Sequence, residues 1–314
     1  MQVHKDIDHL PKFRNAVITI GTFDGVHTGH QQIIRQMREE AQKISGETVI
    51  ITFDPHPRKI VNSGSSLKLL TTLEERIELL ERFGVDHLIV TPFTKEFSEL
   101  SAEEYLQEFL VSRFHPKTII IGYDHRFGKG RAGDYKLLEK LAPKFGYTVR
   151  EIPEKVLDEV AVSSTRIRQA LMEGDAETAN DLLGYEFFFA GKVVQGDKLG
   201  RELGYPTANI QVNSPEKIIP GNGIYAVTLT IQNRAMQLFK GMMSIGTRPT
   251  VNGKDLRVEV NIFNFDEEIY GVELRVNIIS YIRKEEKFDG LETLKKAIAH
   301  DKIEVLKIFE ENGQ

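Results

Sequence analysis

The chain contains no cysteine. Disulfides, thiolate metal sites and a cysteine nucleophile are excluded together, and the composition suits a reducing compartment. No apolar run approaches the roughly 20 residues that a membrane helix needs. The opening residues, MQVHKDIDHLPKF, lack the apolar centre of a secretory signal. A cytoplasmic protein with no membrane contact is therefore expected. Positive charge is not in excess either: 41 Lys+Arg against 46 Asp+Glu leave a net charge of −5. Nothing draws the whole molecule toward nucleic acid, although backbone amides and local arginines can still bind small anions. Internal repeats and low-complexity tracts are also missing from the 314 residues, a length that suits about two domains.

What is present is, first, an alternation of strand and helix patterns. NAVITIG (15–21), ETVIITF (47–53), DHLIVTPF (86–93), KTIIIG (117–122) and YTVREI (147–152) read as short apolar strands. Between the first two, Ile33, Ile34, Met37, Ala41 and Ile44 recur at helical spacing. TTLEERIELLERFG opens with Thr72 and Glu75 in capping-box positions and stops at Gly84; SAEEYLQEFLVSRF opens with Ser101 and Glu104. Apolar strands separated by capped helices predict a parallel sheet covered on both faces. SSTRIRQALMEGDAETANDLLG (163–184) reads as helical, broken at Gly174 and recapped at Asp175. After Gly184 the pattern changes to period two in FFFAGKVV, GIYAVTLTI, LRVEVNIFNF and VELRVNIISYI, followed by a terminal helix. The expected organisation is an α/β domain over 1–184 and a small antiparallel β-barrel with a terminal helix over 185–314.

Ligands of a parallel sheet bind outside the carboxyl ends of its strands. GTFDGVHTGH (21–30) is such a strand-end loop running into a helix. Helix N-termini favour phosphate through their amides and partial positive charge, and Gly21, Gly25 and Gly29 let the backbone approach a ligand closely. With a helix beginning near His27, His27 and His30 share a face. Two imidazoles there can donate hydrogen bonds to a phosphate chain as its charge redistributes, with no covalent intermediate. Two surface histidines beside an ordinary turn are the bland alternative. A metal pair is another, though no further ligands cluster nearby in sequence. FDPHP adds Asp54 and His56; GYDHRFGKGRAGD (122–134) adds four glycines and two arginines and suggests closure on substrate; SSTRIR (163–168) adds hydroxyls with Arg166 and Arg168 close by. Singly these read as turns or N-caps. Together they suit an anionic triphosphate.

A second constellation follows in GKVVQGDKLGRELGYPTANI, with glycines at 191, 196, 200 and 204. Glycine loops alone mark turns. In an extended chain after Pro206, however, Thr207 and Asn209 point the same way. A hydroxyl and an amide oxygen at that spacing suit a hard cation such as Mg²⁺, whose shell is completed by waters and phosphates. In LRVEVNIFNF, alternation puts Arg257, Glu259 and Asn261 on the face opposite Val258, Val260 and Ile262. Glu259, held on a strand, can accept the proton of an attacking hydroxyl in phosphoryl transfer; an exposed strand carboxylate is the alternative.

GTFDGVHTGH resembles the HxGH signature of the nucleotidyltransferases. With FDPHP, GYDHRFGKGRAGD, SSTRIR, LGYPTAN, GIYAV, SIGTRPT, EVNIFNFDEEIYG and RKEEKF in that order, nearly the whole chain resembles the bacterial bifunctional riboflavin kinase/FMN adenylyltransferases, or FAD synthetases. The resemblance implies a Rossmann-like nucleotidyltransferase domain that converts FMN and ATP to FAD and pyrophosphate, and a barrel that converts riboflavin and ATP to FMN and ADP with Mg²⁺. It implies that His27 and His30 stabilise adenylyl transfer, with Gly21, Phe23, Asp24, Gly29, Asp124, Phe127, Ser164, Thr165 and Arg168 around the nucleotide. In the kinase, Gly196, Lys198, Gly200, Gly204 and Pro206 would form the ATP loop. Thr207 and Asn209 would hold Mg–ATP, Glu259 would be the base, and Arg283 and Glu285 would stand at the flavin-site Arg-x-Glu. A monomer or weak homo-oligomer is expected.

Some positions depart from the family pattern. Thr22 stands where tyrosine or asparagine is common, His125 replaces phenylalanine, Asn261 and Asn264 replace histidine and aspartate, and Arg248 replaces asparagine or lysine. None removes a proposed catalytic group. A single-activity adenylyltransferase for phosphopantetheine or nicotinate mononucleotide is a rival that leaves PTAN and EVNIF unexplained. A flavin- or RNA-binding protein is another, and the acidic charge disfavours RNA.

Overall fold

The computed structural model describes residues 1–61, 67–122, 125–152, 164–196, 199–232, 234, 237–250 and 253–311. The chain divides into two compact units, Met1–Ser164 and Thr165–Gln314.

The first unit is built on six parallel strands: β1 (Gln2–His4), β2 (Val17–Ile20), β3 (Thr48–Phe53), β4 (His87–Thr91), β5 (Thr118–Gly122) and β6 (Thr148–Ile152). Their order is β1-β4-β3-β2-β5-β6. β2 through β5 coincide with the apolar runs and are almost wholly buried, as strands covered on both faces must be. β1 has no apolar signature; its three residues join through pairing with His87–Ile89 of β4. The chain winds outward from β2 to β4 and then returns to β5 beside β2. The switch point of the sheet therefore lies between β2 and β5, where open α/β sheets bind ligands. Both expected capping boxes form with both reciprocal bonds, Thr72 with Glu75 and Ser101 with Glu104. Beyond the second box the chain widens into a π-helical stretch, Tyr105–Val111, which buries Tyr105, Leu106, Phe109 and Leu110 together.

The second unit is a closed antiparallel barrel of β7 (Phe188–Val194), β8 (Ala208–Val212), β9 (Gly223–Ile231), β10 (Leu238–Thr250), β11 (Gly253–Ile262) and β12 (Glu273–Arg283), in the order β10-β11-β8-β7-β12-β9. β10 escaped the sequence patterns because its glycines and proline interrupt any apolar alternation. Its pairing with both β9 and β11 makes it a strand all the same. The terminal helix Leu291–Glu311 buries Val305 and Phe309 against Ala226, Met242, Phe263 and Ile279. The helices Ser164–Glu173 and Ala176–Leu183 break at Gly174, and Asp175 caps the second through Thr178 N. Both belong to this unit by contact, apart from the first residue, Ser164. The Asn180 amide donates to Ile278 O (2.9 Å) and accepts from Phe187 N (2.7 Å).

Candidate active sites

At the switch point, the loop after β2 carries the two histidines into the helix Thr28–Lys43. His27 is the N-cap residue, with extended backbone, and its own side chain does not cap the helix. The His27 and His30 rings stack with centroids 3.7 Å apart and planes 21° from parallel. Phe23 lies against His30 at 4.7 Å. Gly29 leaves room for the stack: a Cβ there would sit 3.3 Å from the His27 ring. The loop is held in an uncommon shape, with positive φ at Phe23 (49°), Gly25 (85°) and Val26 (36°). That conformation is costly for a β-branched residue and persists only where packing enforces it. Here Phe23 and Val26 are buried, and Val26 N donates to Phe23 O at 3.0 Å.

His30 keeps an edge open to solvent, but its Nδ1 is buried and has no hydrogen-bond partner. Burial, then the neighbouring His27, then the Arg76 guanidinium hold its pKa well below the ordinary imidazole value. The ring is therefore neutral near pH 7, with one N–H to give. Asp24 is buried beneath the loop. Its carboxylate accepts from Leu70 N (3.2 Å), Thr71 N (3.0 Å) and Thr71 Oγ1 (3.2 Å). It ties the histidine loop to the segment that leads into the helix Leu73–Arg82. Ser164 Oγ donates to Asp24 O at 3.2 Å, which brings one SSTRIR hydroxyl to the same loop.

In the barrel, β8 pairs with β11 so that Asn209 stands opposite Glu259 and Ala208 opposite Val260. Thr207 Oγ1 lies 3.4 Å from Glu259 Oε2, at the long end of hydrogen-bond reach. The three residues singled out by alternation thus converge, each half-buried. Two glycines of the preceding loop leave space for them. A Cβ on Gly196 would sit 2.1 Å from Asn209 Nδ2; one on Gly200 would meet Tyr205 O at 2.4 Å and Thr207 Oγ1 at 3.1 Å. Asn261, two residues beyond Glu259, donates from Nδ2 to Pro206 O at 2.7 Å and anchors the chain that presents Thr207. Beside this cluster is a cavity of about 370 Å³ whose lining includes Tyr205, Pro206, Asn261, Phe263, Asp266 and Lys302.

A family model for FAD synthetase matches residues 10–166, and one for riboflavin kinase matches residues 183–309. The bifunctional riboflavin kinase/FMN adenylyltransferase of Listeria monocytogenes is 38% identical over 298 residues, covering 94% of this chain and 93% of its own. That of Haemophilus influenzae is 36% identical over 296 residues, with 94% of each covered. The chain belongs to the bifunctional riboflavin kinase/FMN adenylyltransferase family. A crystal structure of a Streptococcus pneumoniae protein named a macrolide-efflux protein is 31% identical, covers 96% of each chain and has a TM-score of 0.84. Efflux is that protein's name alone. Among the described residues of this family member, no helix is long and apolar enough to cross a membrane.

Other residues expected at the sites of a riboflavin kinase/FMN adenylyltransferase are found in varied settings. Phe127 is buried in the core, its ring 5.4 Å from Tyr105 and 6.0 Å from His125. Phe127 bridges to Gly133, Lys129 N donates to Leu100 O (2.7 Å), and Lys129 pairs with Glu99 (2.7 Å). Gly21 packs under the Phe23 ring, where a Cβ would sit 3.2 Å away. His56 Nδ1 accepts from Arg58 N at 3.1 Å, while Asp54 is exposed. Thr165 is exposed and Arg168 half-buried on the helix Ser164–Glu173. Gly204 is exposed and takes a φ of 83° at the turn before Tyr205. Arg283 makes a two-pronged ion pair with buried Asp301, Nε and Nη2 each 2.7 Å from a carboxylate oxygen. Glu285 is exposed, with its carboxylate over Gly246, where a Cβ would sit 2.5 Å from Oε1. Asp124 and Lys198 lie outside the described residues, as does the side chain of Arg248.

Arg76 and Lys302 were not found from sequence, nor was the bond from Asn261 to Pro206. Asn261 itself was singled out there, on the strand face of Glu259 and as a departure from the family pattern.

Proposed function

We propose that the chain phosphorylates riboflavin to FMN at the Thr207–Asn209–Glu259 cluster and adenylylates FMN to FAD at the His27–His30 loop. Residues 1–184 carry the second activity and 185–314 the first. In the kinase, the riboflavin hydroxyl oxygen attacks the γ-phosphorus of ATP while Glu259 takes the hydroxyl proton; the bond to ADP breaks. Thr207 and Asn209 would hold a divalent cation, Mg²⁺ by its preference for oxygen ligands. The residues fit such an ion. They offer neutral oxygens beside a carboxylate, and Gly196 leaves a cradle that any Cβ would fill. Among the described residues no group of three His, Cys, Asp or Glu could hold a metal unaided, so the phosphates of ATP complete the site. When bound, the cation offsets phosphate charge. The neighbouring cavity suits the nucleotide base.

In the transferase, a phosphate oxygen of FMN attacks the α-phosphorus of ATP and pyrophosphate leaves. His27 and His30 donate hydrogen bonds as charge moves onto the departing oxygens. The stacked pair at a helix start, with the His30 ring neutral near pH 7, supports this reading most directly. The cysteine-free composition suits the reducing cytoplasm, where we place both reactions. The test is incubation of purified protein with riboflavin, ATP and Mg²⁺, resolving flavins by chromatography. FMN followed by FAD is expected; absence of either product from active, folded protein contradicts the assignment.

A further inference from the structure

Arg76 is an anomaly. It lies on the helix Leu73–Arg82 and is only 3% exposed. Buried charges are ordinarily paired, because an uncompensated ion in the interior is strongly destabilising. Yet no carboxylate among the described residues reaches ion-pair distance of this guanidinium. Its Nε is buried without a partner, and its one side-chain hydrogen bond among the described residues runs from Nη1 to Thr52 Oγ1 at 3.1 Å. Three carboxylates exert a longer-range pull: Asp24, Asp54 and Glu74. Asp24 is already committed to Leu70 and Thr71, and Asp54 and Glu74 are exposed, where water screens them.

The single hydrogen bond leads into the histidine loop. Thr52, on β3 and fully buried, accepts from Arg76 and donates through the same Oγ1 to Thr22 O at 3.1 Å. Thr22 is the second residue of GTFDGVHTGH. The guanidinium thus fixes the loop from below, and its charge reaches His30.

We propose that Arg76 is a positioning residue for adenylyl transfer: through Thr52 it sets the loop that presents His27 and His30, and its charge, without an ion-pair partner among the described residues, awaits the polyphosphate bound against them. The inference rests on the reading of that loop as the FMN adenylylation site. An anion arriving at the pair meets a positive charge already desolvated, which spares reorganisation during the reaction. The same charge, with burial and His27, disfavours protonation of His30, keeping the ring able to donate without adding a second cation.

The experiment compares Arg76→Met and Arg76→Lys with the wild type on FMN→FAD from pH 5 to 9, using riboflavin→FMN by the same chain to monitor folding. Arg76→Met is expected to lose at least tenfold in kcat/KM for FMN→FAD at pH 7.5. Its acid limb moves to higher pH, because His30 protonates more readily without the neighbouring charge, while riboflavin→FMN is unchanged. Arg76→Lys keeps the wild-type acid limb. A merely structural arginine would not move that limb. Should Arg76→Met fail to fold, Thr52→Val removes the link while keeping the charge and shape; a several-fold fall in FMN→FAD kcat with an unmoved acid limb supports the inference, and an unchanged rate overturns it. Wild-type protein that makes no FAD overturns the site reading and the inference together. Wild-type protein that makes FAD, beside a folded Arg76→Met with wild-type limb and kcat/KM, overturns the inference alone.

Discussion

Asn209 on β8 stands directly across the barrel ladder from Glu259 on β11. The pairing fixes which side chains meet, because a slip of one residue would turn every side chain of β8 to the other face. Thr207, two residues earlier, points the same way and brings its hydroxyl 3.4 Å from the Glu259 carboxylate. Thr207→Val keeps the shape and removes the oxygen. Hydrogen bonds to charged groups contribute about 1.5–3 kcal/mol, so riboflavin→FMN is expected to lose between about tenfold and a hundredfold in kcat/KM. FMN→FAD stays at the wild-type value. Initial rates of the two conversions, measured separately, check this.

Gly196 is required by the Asn209 amide rather than by its own backbone. A Cβ would overlap Asn209 Nδ2 at 2.1 Å. Gly196→Ala must displace that amide, and overpacking of this kind costs about 1–3 kcal/mol. The KM for Mg–ATP in riboflavin phosphorylation is expected to rise about tenfold. Titrating ATP and Mg²⁺ against the wild type reads the effect; an unchanged KM would mean that Asn209 does not hold the nucleotide.

Acidification should weaken the first unit before any carboxylate protonates. His30 is held well below its ordinary pKa by burial, His27 and Arg76, and His4 is lowered by burial and His87. Between pH 6.5 and the lowered folded values, the unfolded chain binds protons that the folded chain refuses. The stabilisation is therefore complete above pH 6.5 and lost as pH falls through the folded values. The steepest slope approaches about 1.4 kcal/mol per pH unit for His30, and is smaller for His4, which water screens. Exposed His9, raised by Asp6, acts in the opposite sense and is screened by water. Urea unfolding of the wild type at pH 7.5, 6.5 and 5.5 should show falling stability, with a shallower fall in His30→Gln. Equal slopes would remove His30 from the explanation.

Arg283 ties β12 to the terminal helix through Asp301, whose side chain is 3% exposed against 23% for Arg283. Removing one partner of a buried pair leaves the other charge uncompensated, at a cost of about 3–5 kcal/mol. Arg283→Met is expected near the lower figure because water reaches part of the arginine. Thermal melts followed by helical circular dichroism measure it. A melting temperature equal to that of the wild type would show that the helix is held by Val305 and Phe309 alone.

The parts legible in sequence were those set by short spacings. His30 lies three positions after His27, and a helix start stacks them. Asn209 lies two positions after Thr207, and an extended chain aligns them. Alternation around Val258 and Val260 gave the face of Glu259. The parts that escaped depend on distant segments meeting. Arg76 reaches the histidine loop through Thr52, 24 residues away in the chain. Asn261 and Pro206 are 55 residues apart, and Arg283 and Asp301 meet across 18. Before folding, Arg76 reads only as a polar residue in a capped helix, and β1 and β10 have no alternation to reveal them. Pairing and burial, not local pattern, define all of these.

Separate chemistry at two sites in one chain is tested most directly by the flavin products of His30→Ala and Glu259→Gln, each supplied with riboflavin or with FMN alongside ATP and Mg²⁺. His30→Ala should accumulate FMN from riboflavin and make little FAD from either flavin. Glu259→Gln should make little FMN, with a loss of about 10²–10⁴-fold for a missing general base, yet convert supplied FMN to FAD at the wild-type rate. If either substitution, in protein that melts as the wild type does, abolishes both conversions, the two sites are not separate and the account is wrong.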